Sequence, residues 1–370
     1  MPGLLVHEWI ESTGGAEKVL QSMGRSFPKA DILSLWNDDP SNFESHEVFE
    51  TWLSRTSLRR SKALALPFMI PTWRTVMMDR DYDWILSSSH LFAHTVKLRR
   101  NPDVPKYVYA HTPARYIWTP DLDTRGKSAA VRAVAPVFRL LDKSLASEPT
   151  GIAANSHFVS DRISSTWGRN SQVIYPPVDV DALSKVQDWR DHLEDDSEKV
   201  IVDSLPDVFV LGISRFIPYK RLDAVMQTAE AIGLPVVLAG NGPELQKLED
   251  QAMRLKVPAN IVKSPSNELV YALMQRASVL IFPPVEDFGI VPVEAQALGT
   301  PVVTGPIGGQ TETFRHGISG VVSDSSEPVD LARAATAAIA LDDFDAVSAT
   351  SKFSERNFES KIRRFVGVDS

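Results

Sequence analysis

Short apolar runs, each followed by a stretch with helical periodicity, repeat along most of the chain. LLVHEW precedes AEKVLQSMGRSF, DWILSSS precedes HLFAHTVKL, TGIAANS precedes HFVSDRISSTWG, and DVFVLGISR precedes RLDAVMQTAEAIG. PVVLAGN then precedes PELQKLEDQAMRL, SVLIFPP precedes VEAQALG, and TPVVTG precedes QTETFRHG. Strand-then-helix order at this spacing predicts an α/β chain with parallel sheets covered by helices on both faces. The alternation pauses in YPPVDVDALSKVQDWRDHLEDDSEKVIVDSLPD, where a double proline opens a charged, strand-poor stretch. That stretch reads as an interdomain linker, dividing the chain into domains 1–185 and 186–350. Two such doubly wound domains would face each other across a cleft, with ligands at the C-terminal ends of their strands. In the final segment, FSERNFESKIRRFVGV, near-helical spacing of Phe353, Phe358, Ile362 and Phe365 makes 351–370 an amphipathic helix in need of a partner surface.

Composition narrows the class. A length of 370 residues suits two cores, and 43% hydrophobic with 23% charged residues is ordinary for packed domains. No apolar run approaches the roughly 20 residues of a spanning helix, and MPGLLVHEWIES lacks a basic region leading into an apolar one, so the expectation is a cytoplasmic protein. The absence of cysteine excludes disulfides, thiolate catalysis and cysteine-ligated zinc. A net charge of −8 argues against a nucleic-acid partner. Charge is uneven, however. Residues 51–80 hold Arg55, Arg59, Arg60, Lys62, Arg74 and Arg80 against Asp79, interleaved with Trp52, Phe68 and Trp73. That stretch is either a surface for anionic lipid or a phosphate-bearing ligand, at the inner face of the cell membrane, or a solvated helix with one face in the core.

Chemistry concentrates at four places. In PPVEDFGIVPVEAQALGTPVVTG, Glu286 and Glu294 flank a strand-to-helix loop; Pro292 suits the first helical position, Glu294 the first turn and Gly299 the helix end. Free N–H groups at a helix entrance bind anions, Gly289 permits close approach, and carboxylates accept hydrogen bonds from diols; together these fit a nucleotide sugar. The plain alternative makes Glu294 a dipole partner and Glu286 an exposed loop residue. In VFVLGISRFIPYKRLDAV, Arg215 and Lys220 lie beyond a strand end, placed for a diphosphate or simply on the surface. Gly14 and Gly15 sit between the first strand and first helix, allowing a tight turn that faces a phosphate or merely a turn. His111 follows a strand in YVYAHTPARYIW and points to a substrate oxygen or serves structure. His90 and His94 have metal-ligand spacing on one helical face but lack a third ligand. The aspartate pairs Asp79/Asp81 and Asp121/Asp123 do not follow a clear strand, so no metal site is expected.

GGAEKVL, YAHTPARYIW, AANSHFVSDRI, YPPVD, ISRFIPYKRLD, LAGNGPE and EDFGIVPVEAQALGTPVVTGPIGGQTETFRHGISGVV, in this order over nearly the whole chain, resemble the retaining GT-B glycosyltransferases of family 4. HTPARYIW is most similar to mannosyltransferases of bacterial surface polysaccharides. The resemblance implies two Rossmann-like domains, acceptor-side then donor-side, with the C-terminal helix crossing back to the first. It implies that Glu294 holds ribose hydroxyls, and that Glu286 with the backbone of Asp287, Phe288, Gly289 and Ile290 holds the donor sugar and phosphates. Arg215 and Lys220, with Gly14 and Gly15 opposite, would hold the diphosphate, and His111 would touch the donor sugar. Mannose from GDP-mannose, a glycan or lipid-linked acceptor and no required metal or other cofactor complete the expectation. Asp287 stands where many relatives have proline and Gln296 where many have methionine, which bears on donor preference. A sugar-nucleotide epimerase, a non-catalytic nucleotide-sugar-binding protein and a metal-dependent transferase are the rival readings.

Overall fold

The computed structural model describes residues 2–12, 14–119, 129–341 and 344–368. It comprises two compact units, Met1–Pro177 with Glu355–Ser370, and Val178–Ser354.

The first unit is built on seven parallel strands: β1 (Gly3–His7), β2 (Asp31–Ser34), β3 (Val48–Glu50), β4 (Trp84–Ser89), β5 (Lys106–Ala110), β6 (Gly151–Ala154) and β7 (Gln172–Val173). Their order is β3-β2-β1-β4-β5-β6-β7. Every residue of β1 and β4 is buried, as expected where helices cover both faces. Register sets His7 beside Ser88 and Ser89 beside Ala110, so His7, Ser88 and His111 gather at one end of the sheet. The helix Glu355–Val366 packs on the helix Gly15–Ser26. Its Phe358, Ile362 and Val366 join Leu5, Leu20, Met23 and Tyr109 in one core cluster, which accounts for the amphipathic C-terminus.

The second unit repeats the plan with β8 (Val210–Ile213), β9 (Val236–Gly240), β10 (Ala259–Lys263), β11 (Val279–Phe282), β12 (Val302–Thr304) and β13 (Gly320–Val322), in the order β10-β9-β8-β11-β12-β13. The order reverses between the adjacent strands β8 and β11, and a doubly wound sheet opens a ligand crevice at such a point. The loops leaving β8 and β11 therefore start side by side.

Three expectations need correcting. The charged stretch after the double proline is not a linker. Its helix Val180–Lys185 packs on the helices Ile290–Ala297 and Ala346–Thr350, and Asp196–Asp203 packs on Asn267–Arg276. The unit boundary consequently lies at 177/178 and not at 185/186. Residues 351–354 likewise belong to the second unit, where the Phe353 ring meets Phe288 at 5.5 Å, so the returning helix begins at Glu355. HLFAHTVKL forms a short 3₁₀ turn, Ala93–Thr95, in place of a helix. The buried Glu8 carboxylate accepts N–H bonds from Leu91 at 2.8 Å and Ala93 at 3.0 Å, which draws the chain around an anion and stops a helix from starting.

Candidate functional site

In the second unit the loop after β8 carries the cations. Arg215 is exposed, and among the described residues it forms no ion pair. Lys220 ends a 3₁₀ turn, Pro218–Lys220, and Arg221 takes a left-handed φ of 53° to enter the helix Leu222–Ile232. The neighbouring β9 loop braces this one: Phe216 N–H donates to Asn241 O at 2.8 Å, and Glu244 N–H to Phe216 O at 3.0 Å.

The loop after β11 carries the carboxylates. Lys220 Nζ donates to Glu286 Oε1 at 2.5 Å, with the two side chains only 12% and 17% exposed. This ion pair joins the two loops directly. Glu286 is fixed from below, its N–H donating to Gln310 Oε1 at 3.0 Å and its carbonyl accepting from Gly309 N–H at 2.7 Å. A Cβ on Gly309 would stand 2.1 Å from Asp287 O, so only glycine allows that approach. Gly289 caps the helix Ile290–Ala297 with φ 107°, a backbone region that side chains avoid. Because Gly289 starts the helix early, Pro292 is its third residue and not its first. Proline there still loses nothing, since the leading N–H groups have no intrahelical partner. Glu294 falls one residue beyond the expected first turn; it is buried and close enough to Tyr271 that its charge, after burial itself, raises the phenol's pKa. The ring of Phe288 packs in the core against Phe353. Gly299 ends the helix with φ 85°. Gln296 is buried and fully engaged, donating to Pro292 O and Thr313 O and accepting from Ser319 Oγ, which ties the helix to the segment after β12.

In the first unit the partly buried His111 joins a polar group with the buried His7 and Ser88. Ser88 Oγ lies 2.8 Å from His111 Nε2 and 3.1 Å from His7 Nδ1, which is also 3.1 Å from the Ser88 carbonyl. A carbonyl only accepts, so His7 Nδ1 carries a hydrogen. The Ser88 hydroxyl then donates to His111 Nε2, since the reverse leaves its hydrogen without an acceptor. His111 is thereby set as the tautomer with Nδ1–H. Burial, then the neighbouring imidazoles of His90 and His7, pushes the His111 pKa down to about 3, so the ring is neutral near pH 7. Burial likewise lowers His7 to about 4. Glu8 is lowered to about 2 although burial opposes this, because His90, His7 and the N–H groups of Ala93 and Leu91 stabilise its charge.

Gly14 is extended at φ 168° and forms no tight turn. What its lack of a side chain permits is the fold-back of Glu17, whose Oε2 would lie 1.9 Å from a Cβ at Gly14. Burial raises the Glu17 pKa. The entrance of the helix Gly15–Ser26 thus has a carboxylate over it. His94 is buried with its Nε2 3.2 Å from Asp142 Oδ1, and His90 faces Glu8, so the two do not share a helical face. Asp142 also accepts from the indoles of Trp118 at 2.7 Å and Trp167 at 2.6 Å, tethering the segment that follows His111. Asp81 pairs with Arg100 on the surface ahead of β4, away from the strand C-termini; Asp121 and Asp123 lie outside the described residues.

Gln310, Gly309, Ser88, His7 and Glu8 were not singled out from sequence as site residues. Their signal is polar residues ending otherwise apolar strands, in LLVHE and WILSSS, and a glycine pair directly before Gln310.

Two family models match the chain: "Glycosyltransferase Family 4" over residues 13–182 and "Glycosyl transferases group 1" over 195–355. The GDP-mannose-dependent alpha-(1-6)-phosphatidylinositol monomannoside mannosyltransferase of Mycolicibacterium smegmatis is 28% identical over 213 residues, 53% of this chain and 54% of that protein. D-inositol 3-phosphate glycosyltransferase 1 of Catenulispora acidiphila is 37% identical over 141 residues, 36% of this chain and 32% of that one. The chain thus spans about half the length of the first relative and a third of the second. Anabaena HepE in complex with UDP superposes with a TM-score of 0.72 at 21% identity, covering 98% of this chain and 99% of that one. Sucrose-phosphate synthase from Thermosynechococcus elongatus gives 0.68 at 15%, covering 99% and 94%. These structural likenesses concern the fold, two Rossmann-like units of the GT-B kind, and with the two family models they place the chain in the family 4-like GT-B glycosyltransferases.

Proposed function

We propose that the chain transfers a hexose, mannose from GDP-mannose, to a glycan or lipid-linked saccharide with retention at the anomeric carbon. The observation that carries the proposal is the Lys220–Glu286 pair where β8 and β11 diverge, beside the exposed Arg215 and the buried Glu294. Cations at that crevice suit a diphosphate and carboxylates suit sugar hydroxyls. Mannose is favoured by the stated donor of the mycobacterial relative, while HepE was solved with UDP, so the base is the part of the reading most open to test.

In the proposed step the bond between the anomeric carbon and the diphosphate oxygen breaks as the acceptor oxygen bonds to the same face. The acceptor proton passes to the departing phosphate, and Arg215 with Lys220 stabilises the charge that gathers there. Glu286, already held by Gln310 and Gly309, keeps Lys220 placed before donor arrives and can accept from donor hydroxyls. His111, neutral with Nδ1–H presented, supplies a hydrogen bond to a sugar oxygen. No step requires a metal. The peripheral setting at the cytoplasmic membrane face belongs to this reading as well.

The test is thermal shift with a panel of nucleotide sugars, followed by turnover of R215A and K220A. A donor at a hundred times its Kd raises stability by about 2.7 kcal/mol. GDP-mannose is expected to give the largest shift, and each variant to lose roughly 100-fold in kcat, the usual cost of one donor to developing charge. A larger shift with a UDP-sugar would reassign the donor, and wild-type rates in both variants would remove the diphosphate assignment.

A further inference from the structure

We propose that the outer face of the helix Lys62–Trp73, together with Trp52, docks on the surface of an anionic lipid bilayer. After Lys62 this helix, KALALPFMIPTW, has no charged residue, and it is apolar all round. Such a helix is normally buried all round. Here only one side is: Ala65, Leu66, Met69, Ile70 and Trp73 fill the core of the first unit. The other side presents Leu64 at 65% exposure and Phe68 at 43%, with Ala63, Pro67 and Pro71 also exposed. Trp52, 51% exposed, sets its ring edge-on to Phe68 with centroids 6.3 Å apart, extending the patch beyond the helix. Contiguous apolar surface of this kind marks a contact site, and a half-exposed tryptophan favours the headgroup level of a bilayer.

Charge selects the occupant. Of the six cations in residues 51–80, four are neutralised within the fold: Arg59 by Asp38, Lys62 by Glu11 at 2.8 Å, Arg74 by Glu148 at 2.6 Å, and Arg80 by Asp31 and Glu47. Arg55 and Arg60 are exposed and, among the described residues, pair with no carboxylate. Both come from the 3₁₀ turns Trp52–Arg55 and Ser57–Arg60 that lead into the helix. An apolar face with free arginines beside it matches acyl chains beneath phosphate headgroups. A second copy of the chain would set two like-charged arginine pairs against each other. Among the described residues no helix is long and apolar enough to cross a membrane, so the contact is with its surface. The docking gives the peripheral setting of the proposed function a named surface and involves no donor residue; its consequence, a lipid-linked acceptor, rests on that reading.

Co-sedimentation of the full chain with phosphatidylglycerol–phosphatidylcholine vesicles at low salt tests the proposal, with pure phosphatidylcholine vesicles alongside. Wild type is expected to sediment with the anionic vesicles only and to release as salt rises. R55Q/R60Q should lower the partition coefficient about 30-fold, roughly fivefold per arginine near an anionic surface. W52S/L64S/F68S should abolish binding while circular dichroism and the urea midpoint show an intact fold. Failure of wild type to sediment, equal sedimentation of the intact triple variant, or a wild-type dimer in sedimentation velocity that the triple variant dissolves would overturn it. Since none of these readouts uses a donor, their failure is separate from failure of the donor panel.

Discussion

Lowering the pH from 8 to 5 is expected to weaken the first unit through two imidazoles, the fully buried His7 and the partly buried His111. His7 is held near pKa 4 and His111 near 3, against 6.5 for an unconstrained histidine. Between these values the unfolded chain takes up a proton that the folded chain refuses, so stability is complete above 6.5 and falls as pH descends towards each folded pKa. At pH 5 an imidazole at 6.5 is almost fully protonated when unfolded and still largely neutral when folded. The difference is about 2 kcal/mol for each residue, or roughly 4 kcal/mol for the pair if they act independently. His7, His90 and Glu8 all face His111, and Glu8 works in a separate window: lowered from 4.5 to about 2, it contributes stability that is lost only as pH falls through that range. Urea unfolding followed by tryptophan fluorescence at half-unit pH steps reads the effect as a falling midpoint at constant m. H111Q, which keeps a polar side chain beside Ser88, should remove about half of the slope between pH 6.5 and 5. A change below ~1 kcal/mol across that range, or an unaltered slope in H111Q, would refute the assignment of these rings as neutral.

Replacing Gly309 by alanine should push Asp287 O away from the new Cβ and loosen Glu286, costing about 1–3 kcal/mol and weakening donor binding in calorimetry more than it alters the far-UV spectrum. D142A should leave the Trp118 and Trp167 indoles without their acceptor, a loss of about 2–5 kcal/mol read as a lower urea midpoint, whereas D142N restores part of it by keeping an acceptor oxygen. Transferase activity is expected to persist in EDTA; complete loss restored by magnesium or manganese would direct attention to Asp79, Asp81, Asp121 or Asp123.

What the sequence disclosed and what it concealed have separate physical causes. β1, β4, β8, β9, β11 and β12 are legible because strands buried on both faces must be continuously apolar. The helix ends at Gly168, Gly233 and Gly299 are legible because a left-handed cap needs glycine. β3 and β7 lie at the sheet edge, are three and two residues long, and bury too little to leave a pattern. HLFAHTVKL has helical spacing, but a buried carboxylate 83 to 85 residues away in sequence takes its N–H groups, and no local pattern contains Glu8. The site divides the same way. Arg215, Lys220 and Glu286 follow apolar strands and Glu294 lies in an apolar helix; each alone also reads as a surface or dipole residue, and their convergence after two strands is what points to a ligand. The relay from His7 through Ser88 to His111 exists only once register puts β1 beside β4 and β4 beside β5, and the hold of Gln310 on Glu286 only once two loops 24 residues apart meet. Residues proposed to touch a ligand can thus be recognised by composition against their surroundings. Residues that position them are ordinary side chains whose role is a distance, and that distance is produced by the fold.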